Sequence, residues 1–221
     1  MGDSDFSAKR RQLVEYLRGS GAVHNPAVAN AFMKVRRESF VPEAYAEYAY
    51  ADNAMPNEMG QTVSQPSTIA VMLELLEAGE GMNVLEIGSG SGYVLALLSH
   101  IAGENGKVIG IEYLHELAEK SRENLAKEKI ANVEVHEGDG SKGVEAGQPY
   151  DRILVSAACP FIPKPLFDQL KEGGRIVAPV GDKHTQTLQT MKKVKGKPLK
   201  EEYMGGYFVF VPLHGEHGFR D

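Results

Sequence analysis

The chain has 221 residues, 42% hydrophobic and 24% charged, which excludes a disordered or fibrous protein and suits one large folded unit with a short appendage. Acidic residues outnumber basic ones, 30 to 24, and the net charge of −6 argues against a protein built to grip nucleic-acid phosphates. Cys159 is the single cysteine, which rules out an intramolecular disulfide framework and a cysteine-rich zinc module.

The opening Met1-Gly-Asp-Ser-Asp-Phe-Ser lacks the apolar stretch of a secretory signal, and Phe6 breaks the myristoylation pattern. No apolar run approaches the roughly 18 residues that a membrane span needs. A cytoplasmic, reduced protein with no membrane partner is therefore expected. Leu13, Val14 and Leu17 recur at helical spacing. Asn25 followed by Pro26 reads as an N-cap and first-turn pair, and Val28, Ala31, Phe32 and Val35 form the next apolar stripe. After Pro66 the segment Thr68–Glu77 carries Ile69, Met72, Leu73 and Leu76, and Gly79 and Gly81 are expected to stop that helix.

From residue 84 the rhythm changes. Apolar runs at Val84–Ile87, Val108–Ile111, Val133–Val135, Arg152–Val155 and Arg175–Val180 alternate with helix-like stretches at Tyr93–Ile101, His115–Lys127 and Pro165–Leu170. This alternation predicts an α/β fold, a mostly parallel sheet covered on both faces. Two further strands, Thr187–Val194 and Tyr203–Val211, joined through Lys195–Lys200, are expected to close it as an antiparallel hairpin. The reading gives seven strands and divides the chain into an N-terminal helical segment, residues 1–80, and a core, residues 81–221.

The most informative segment is Val84-Leu-Glu-Ile-Gly-Ser-Gly-Ser-Gly-Tyr93. A buried strand ends in Gly88-x-Gly90-x-Gly92 and runs into a helix, so the backbone can turn sharply and approach a ligand at a helix N-terminus. A dinucleotide fingerprint would need its third glycine at position 93, which is tyrosine. The pattern, with Glu86 two residues before the first glycine, resembles motif I of the class I S-adenosylmethionine-dependent methyltransferases. That resemblance implies a Rossmann-like, doubly wound fold. It implies that Glu86, Gly88, Ser89, Gly90 and Gly92 bind S-adenosylmethionine, the product being S-adenosylhomocysteine. Glu112 ends the next strand and can accept from both ribose hydroxyls, with Tyr113 beside it. Asp139 and Gly140, which end the third strand, fall at the adenine edge.

Three stretches before this turn narrow the resemblance. They are Arg37-Glu-Ser-Phe-Val-Pro-Glu-Ala-Tyr45, Ala49-Tyr-Ala-Asp52 and Gly60-Gln-Thr-Val-Ser-Gln-Pro66. Together they resemble the protein-L-isoaspartate O-methyltransferases, and the likeness continues through Tyr150–Ala158, Leu170–Gly181 and Phe210–Leu213. Gln65 and Ser67 depart from that pattern, which has a small residue and a histidine there. The family implies methyl transfer to the free α-carboxylate of L-isoaspartyl residues in damaged proteins. It implies Ser64 as the active-site residue, Thr62 and Val63 beside the cofactor, and Val155, Ser156, Ala157 and Val211 with Ser64 around the substrate. A carboxylate is ionised at neutral pH, so the reaction needs alignment and water exclusion but no general base. Ser64 could also cap the helix that starts near Pro66, a role compatible with contact to the substrate.

Other readings stay open: a related methyltransferase acting on RNA or a small molecule, or a cofactor-binding homologue with weakened catalysis. His214-Gly-Glu-His217 has no convincing third and fourth ligand, so no metal is expected. Cys159 reads as a packing residue. Asn105-Gly106 is a deamidation-prone pair. A monomer without a nucleic-acid partner is expected.

Overall fold

The computed structural model describes residues 3–57 and 59–220; Met1 and Gly2, at the start of the chain, lie outside them. Helices α1 (Asp3–Gly19) and α2 (Pro26–Lys34) come first, and the Asn25 side chain accepts from the Ala27 N–H at 2.9 Å as expected of an N-cap. The helical reading of the first third then breaks down. Two 3-10 turns, at Arg37–Phe40 and Glu43–Tyr48, lead into a small hairpin of β1 (Met55–Pro56) and β2 (Thr62–Val63). The Asn57 side chain shapes its loop by accepting from the N–H groups of Met59 and Gln61 at 3.0 and 2.8 Å, a local competition that asparagine wins against helix.

Helix α3 (Pro66–Leu76) ends at Glu77, which takes the left-handed conformation at φ 53°, and not at Gly79 or Gly81. Arg152 donates to the Glu77 carbonyl at 2.9 Å and Arg175 to the Leu75 carbonyl at 3.1 Å, so two cations from the sheet satisfy the helix end. At the other end of α3 the cap also comes from a distance. Asp52 accepts from the Ser67 N–H at 2.8 Å and from the Gln65 side-chain amide at 3.0 Å. Asp52→Ala is expected to cost about 1–2 kcal/mol, as lost caps do, read as a lower urea midpoint at unchanged slope. An unshifted midpoint would show that Asp52 does not hold this end.

The remaining strands are β3 (Asn83–Ile87), β4 (Lys107–Glu112), β5 (Val133–Glu137), β6 (Tyr150–Val155), β7 (Leu170–Gly181), β8 (Gln186–Val194) and β9 (Lys197–Glu202). They form one seven-stranded sheet in the order β5-β4-β3-β6-β7-β8-β9, parallel from β5 through β7 and antiparallel beyond. Helices α4 (Tyr93–Ala102), α5 (His115–Lys127) and α6 (Lys164–Asp168) lie in the connections. Successive strand residues face opposite ways. Val84, Val108, Leu154 and Val177 join the buried residues of α1–α4, while Leu85, Ile109, Ile153 and Ile176 join a second core with Leu166 of α6.

Two boundaries differ from the sequence reading. Helix α6 stops at Asp168, and Leu170 is already strand, paired with Tyr150. The last strand is Lys197–Glu202, not Tyr203–Val211. Lys195 and Gly196, at φ 52° and 71°, make a two-residue turn that pairs the flanking residues directly. The ladder with β8 ends at Glu202, and Gly206, at φ 126°, lies in the irregular stretch that follows. Residues 207–213 return as a strap, bridged at Phe208 to Gln186 and at Pro212 to Ala158.

Candidate active site

Strand β3 pairs with β4 on one side and β6 on the other, so the chain crosses in opposite directions from its carboxyl end. Doubly wound sheets bind ligands at that switch point, and here the glycine turn occupies it. Gly92 caps α4 at φ 89°, and a Cβ built on it would sit 2.6 Å from the Ser121 hydroxyl, so conformation and space both require glycine. A Cβ on Gly90 would meet nothing within 4 Å, which leaves that backbone open to a ligand.

Three cavities adjoin at this turn. The first, about 310 Å³, runs between the ends of β3 and β4 and the strap. Gly88, Gly90, Glu112, Tyr113, Gly140, Ala157 and Val211 all border it. The second is a slot of about 50 Å³ bordered by Val63, Ser64, Glu86 and Ser89. The third is an open cleft of about 440 Å³ between α3 and the strap, bordered by Ser64, Gln65, Ser67 and Val211. Thr62 and Ser156 border all three, and Ser64 stands between the slot and the cleft.

Three expected residues lie off these walls. Gly92 packs on Ser121. Val155 is wholly buried in the second core, because alternation turns its side chain away while sending Ser156 to the cavities. The Asp139 carboxylate is taken up by neighbouring groups: it accepts from the Ser141 N–H and hydroxyl at 2.9 and 2.6 Å and from the Glu216 N–H at 2.9 Å. Its neighbour Gly140 reaches the cavity instead. A Cβ there would lie 2.6 Å from Ile87.

Glu86 is 1% exposed. Its Oε1 accepts from the Ser156 hydroxyl at 2.7 Å, and among the described residues its Oε2 has no hydrogen-bond partner. Burial pushes its pKa from 4.5 up to about 8; the Ser156 hydroxyl pulls it back and the Glu112 charge adds to the rise. An orphaned carboxyl oxygen in a buried slot suits a cationic group. Glu112 is more committed. Its Oε1 accepts from the N–H groups of Tyr113 and Leu114 at 2.9 and 3.1 Å, and its Oε2 from Gly90 at 2.8 Å. A carboxylate offers about four acceptor positions, so one ribose hydroxyl fits at Oε2 and a second would displace a backbone donor.

The sequence reading missed the roles of two residues. His214 lies against Tyr113 across the mouth of the first cavity, with ring centroids 5.7 Å apart. Arg37, wholly buried, donates to the carbonyls of Ala49 and Ser64, both at 2.8 Å, and lies 4.8 Å above the Tyr93 ring. One guanidinium thereby ties the Ser64 segment to the first residue of α4. Both residues lie in stretches quoted from the sequence, but no local pattern gives either its role, since each acts on chain far from it in sequence. Cys159 is buried, its thiol pushed up to about 12 by burial. Among the described residues no group of three or more His, Cys, Asp or Glu side chains could hold a metal ion.

Residues 8–218 match the sequence profile of the protein-L-isoaspartate(D-aspartate) O-methyltransferases. The chain belongs to that family. The protein-L-isoaspartate O-methyltransferase 2 of Archaeoglobus fulgidus is 47% identical over 216 residues, spanning 98% of this chain and 97% of that one. A solved protein-L-isoaspartate O-methyltransferase superposes with a TM-score of 0.86 at 33% identity, over 95% of this chain and 67% of the other. A putative protein-L-isoaspartate O-methyltransferase from Plasmodium falciparum, solved with S-adenosyl-L-homocysteine, gives 0.80 at 26% identity over 91% and 97%. Within this family fold, the Ser64 stretch faces the glycine turn across the slot.

Proposed function

We propose that this protein transfers a methyl group from S-adenosylmethionine to the free α-carboxylate of L-isoaspartyl residues in damaged proteins and peptides, which starts their repair through a succinimide. The observation that carries the reading is the meeting of three cavities at Thr62 and Ser156, with Ser64 between the Glu86 slot and the open cleft. When bound, the cofactor supplies an electrophilic methyl group on a sulfonium. Glu86 would offer its free oxygen to the methionine end, and Glu112 would hold the ribose. Tyr113 and His214, which line the first cavity, would cover its adenosine.

The acceptor segment lies in the cleft. Among the described residues no charged side chain borders it: Ser64, Gln65, Ser67, Thr68 and the strap supply its walls. An acceptor carboxylate needs no proton removed, so the Ser64 hydroxyl orients it by donating a hydrogen bond and does not act as a nucleophile. The strap presents Tyr207 and Val209 at 80% and 78% exposure, an apolar platform for an extended peptide of varied sequence. Gln65 bonds Asp52 from the edge of the cleft, so this departure from the family pattern also braces α3.

We take residues 1–80 as the roof over a cofactor-binding core, residues 81–221, and the whole as a cytoplasmic monomer with no nucleic-acid partner. The net charge of −6 supports the last point. Among the described residues no helix is long and apolar enough to cross a membrane.

Labelled S-adenosylmethionine with matched aspartyl and isoaspartyl peptides tests the reaction: label is expected on the isoaspartyl peptide alone. Label on neither peptide, with tight cofactor binding, would favour a homologue that only binds. Ser64→Ala is expected to lower kcat roughly 10–100-fold while the KM for S-adenosylmethionine stays nearly constant, the signature of a lost orienting donor. Full turnover in that variant would remove Ser64 from the mechanism.

A further inference from the structure

We propose that Asn105 is a site of spontaneous modification in this protein, and that its isoaspartyl product is methylated by a second copy of the chain and not by the molecule that carries it. The second half rests on the function proposed above.

The chemistry needs only an asparagine or aspartate followed by an unhindered backbone nitrogen. That nitrogen attacks the side-chain carbonyl carbon. The new C–N bond closes a succinimide while ammonia leaves an asparagine, or water an aspartic acid. Water then opens the ring at either carbonyl to give an aspartyl or an isoaspartyl link. Glycine is the least hindered follower because it has no Cβ. The chain has two such pairs, Asn105-Gly106 and Asp139-Gly140.

The fold separates their fates. The Asp139 carboxylate is fixed by the three hydrogen bonds from Ser141 and Glu216. Burial alone would raise its pKa, but those bonds and the Lys142 charge outweigh burial and hold it below its ordinary value. It stays ionised, and an ionised carboxylate is a poor target for a nucleophile. Asn105 is exposed in the turn between α4 and β4, and among the described residues its side-chain amide has no hydrogen-bond partner. One bond opposes the reaction: the Gly106 N–H donates to the Gly103 carbonyl at 3.1 Å, and cyclisation would remove that hydrogen. It slows the step without blocking access to the side chain. The glycine itself is held in place by packing, because a Cβ on Gly106 would lie 2.5 Å from the Ala102 carbonyl oxygen. The labile pair is thus built into this turn.

Topology decides which active site can act. The turn leads directly into Lys107, the first residue of β4, whereas Glu112, the last, borders the cofactor cavity. The five residue steps between them span roughly 17 Å in an extended strand. Strand β4 is paired on both sides, and the Asn132 side chain donates to the Gly103 carbonyl at 2.8 Å. Residue 105 therefore cannot reach Ser64 of its own molecule while the sheet stands.

The test ages purified protein at mildly alkaline pH without cofactor and maps it by mass spectrometry that separates aspartyl from isoaspartyl links. Residue 105 is expected to convert at least about tenfold faster than any other asparagine, and an Asn105→Ser variant to lack the product. Labelled S-adenosylmethionine added to the aged protein alone should then mark the peptide containing residue 105, at an initial rate that rises as the square of protein concentration. An intact residue 105 after ageing overturns the first half, and a rate linear in protein concentration overturns the second. A synthetic isoaspartyl peptide runs in parallel. If it is methylated and the aged protein is not, the self-repair inference fails alone. If neither is methylated, the proposed function fails with it, while the modification measured at Asn105 by mass spectrometry is unaffected.

Discussion

Arg37→Met is expected to lower the free energy of unfolding by about 3–5 kcal/mol and to reduce turnover in the protein that still folds. The estimate follows from what the guanidinium leaves behind. The Ala49 and Ser64 carbonyls each accept from it at 2.8 Å, and a buried acceptor that loses its donor costs about 1–3 kcal/mol. Its contact with the Tyr93 ring goes as well. Removing a buried charge recovers some desolvation, since burial pulls the guanidinium's pKa below its ordinary value, so the sum is smaller than the parts suggest. Arg37→Lys keeps the charge but cannot span both carbonyls, and should fall between the two. Urea unfolding with single-turnover kinetics separates the outcomes. A methionine variant of native stability would mean that the Ser64 segment is held by other contacts.

Glu86→Gln should produce opposite effects on the unliganded protein and on cofactor binding. The folded protein keeps a proton on Glu86 up to about 8, whereas the unfolded chain releases it near 4.5. Within that window the native state binds more protons, so stability falls as pH rises and levels off above about 8. The loss is at most on the order of 5 kcal/mol for a carboxyl this deeply buried. Glutamine cannot ionise and should abolish the slope, leaving the unliganded variant more stable than the parent in alkaline solution. Binding moves the other way. A cationic methionine end favours the ionised carboxylate, so affinity for S-adenosylmethionine in the parent should rise with pH towards about 8. The variant should bind at least about tenfold more weakly, with no such rise. Calorimetry and urea unfolding on either side of that pH provide both readings. A glutamine variant with the parent's pH slope would falsify the assignment of the titration to Glu86.

The local signals that the sequence carries act over a few residues, and those parts of the fold were legible. Asn25-Pro26 caps α2, the 3.6-residue stripes mark α1–α5, and the glycine turn follows a short apolar strand. The family resemblance extended this to a site, because it places Ser64 before the turn and Glu112 after it. Boundaries failed where local preference was overridden. Glu77 adopts a left-handed conformation because Arg152 and Arg175 reach it from the sheet, and Tyr203–Val211 becomes a strap because Lys195-Gly196 pairs β9 early.

The sequence by itself therefore determined α1–α5, the order of the strands from β3 to β8 and the glycine turn after β3, since periodicity, caps and glycine freedom are short-range. Tertiary structure alone decided what those residues experience. Ser64 owes its backbone position to Arg37, 27 residues earlier, and α3 owes its cap to Asp52. Glu86 holds its proton because burial removes the water that would solvate its charge, and Asp139 loses its proton because three donors converge on it. Asn105 and Ser64 lie at opposite ends of the sheet, so the labile pair and the active site of one molecule stay apart. Burial, electrostatic coupling and distance depend on segments far apart in the chain, and they exist only once the sheet brings those segments together.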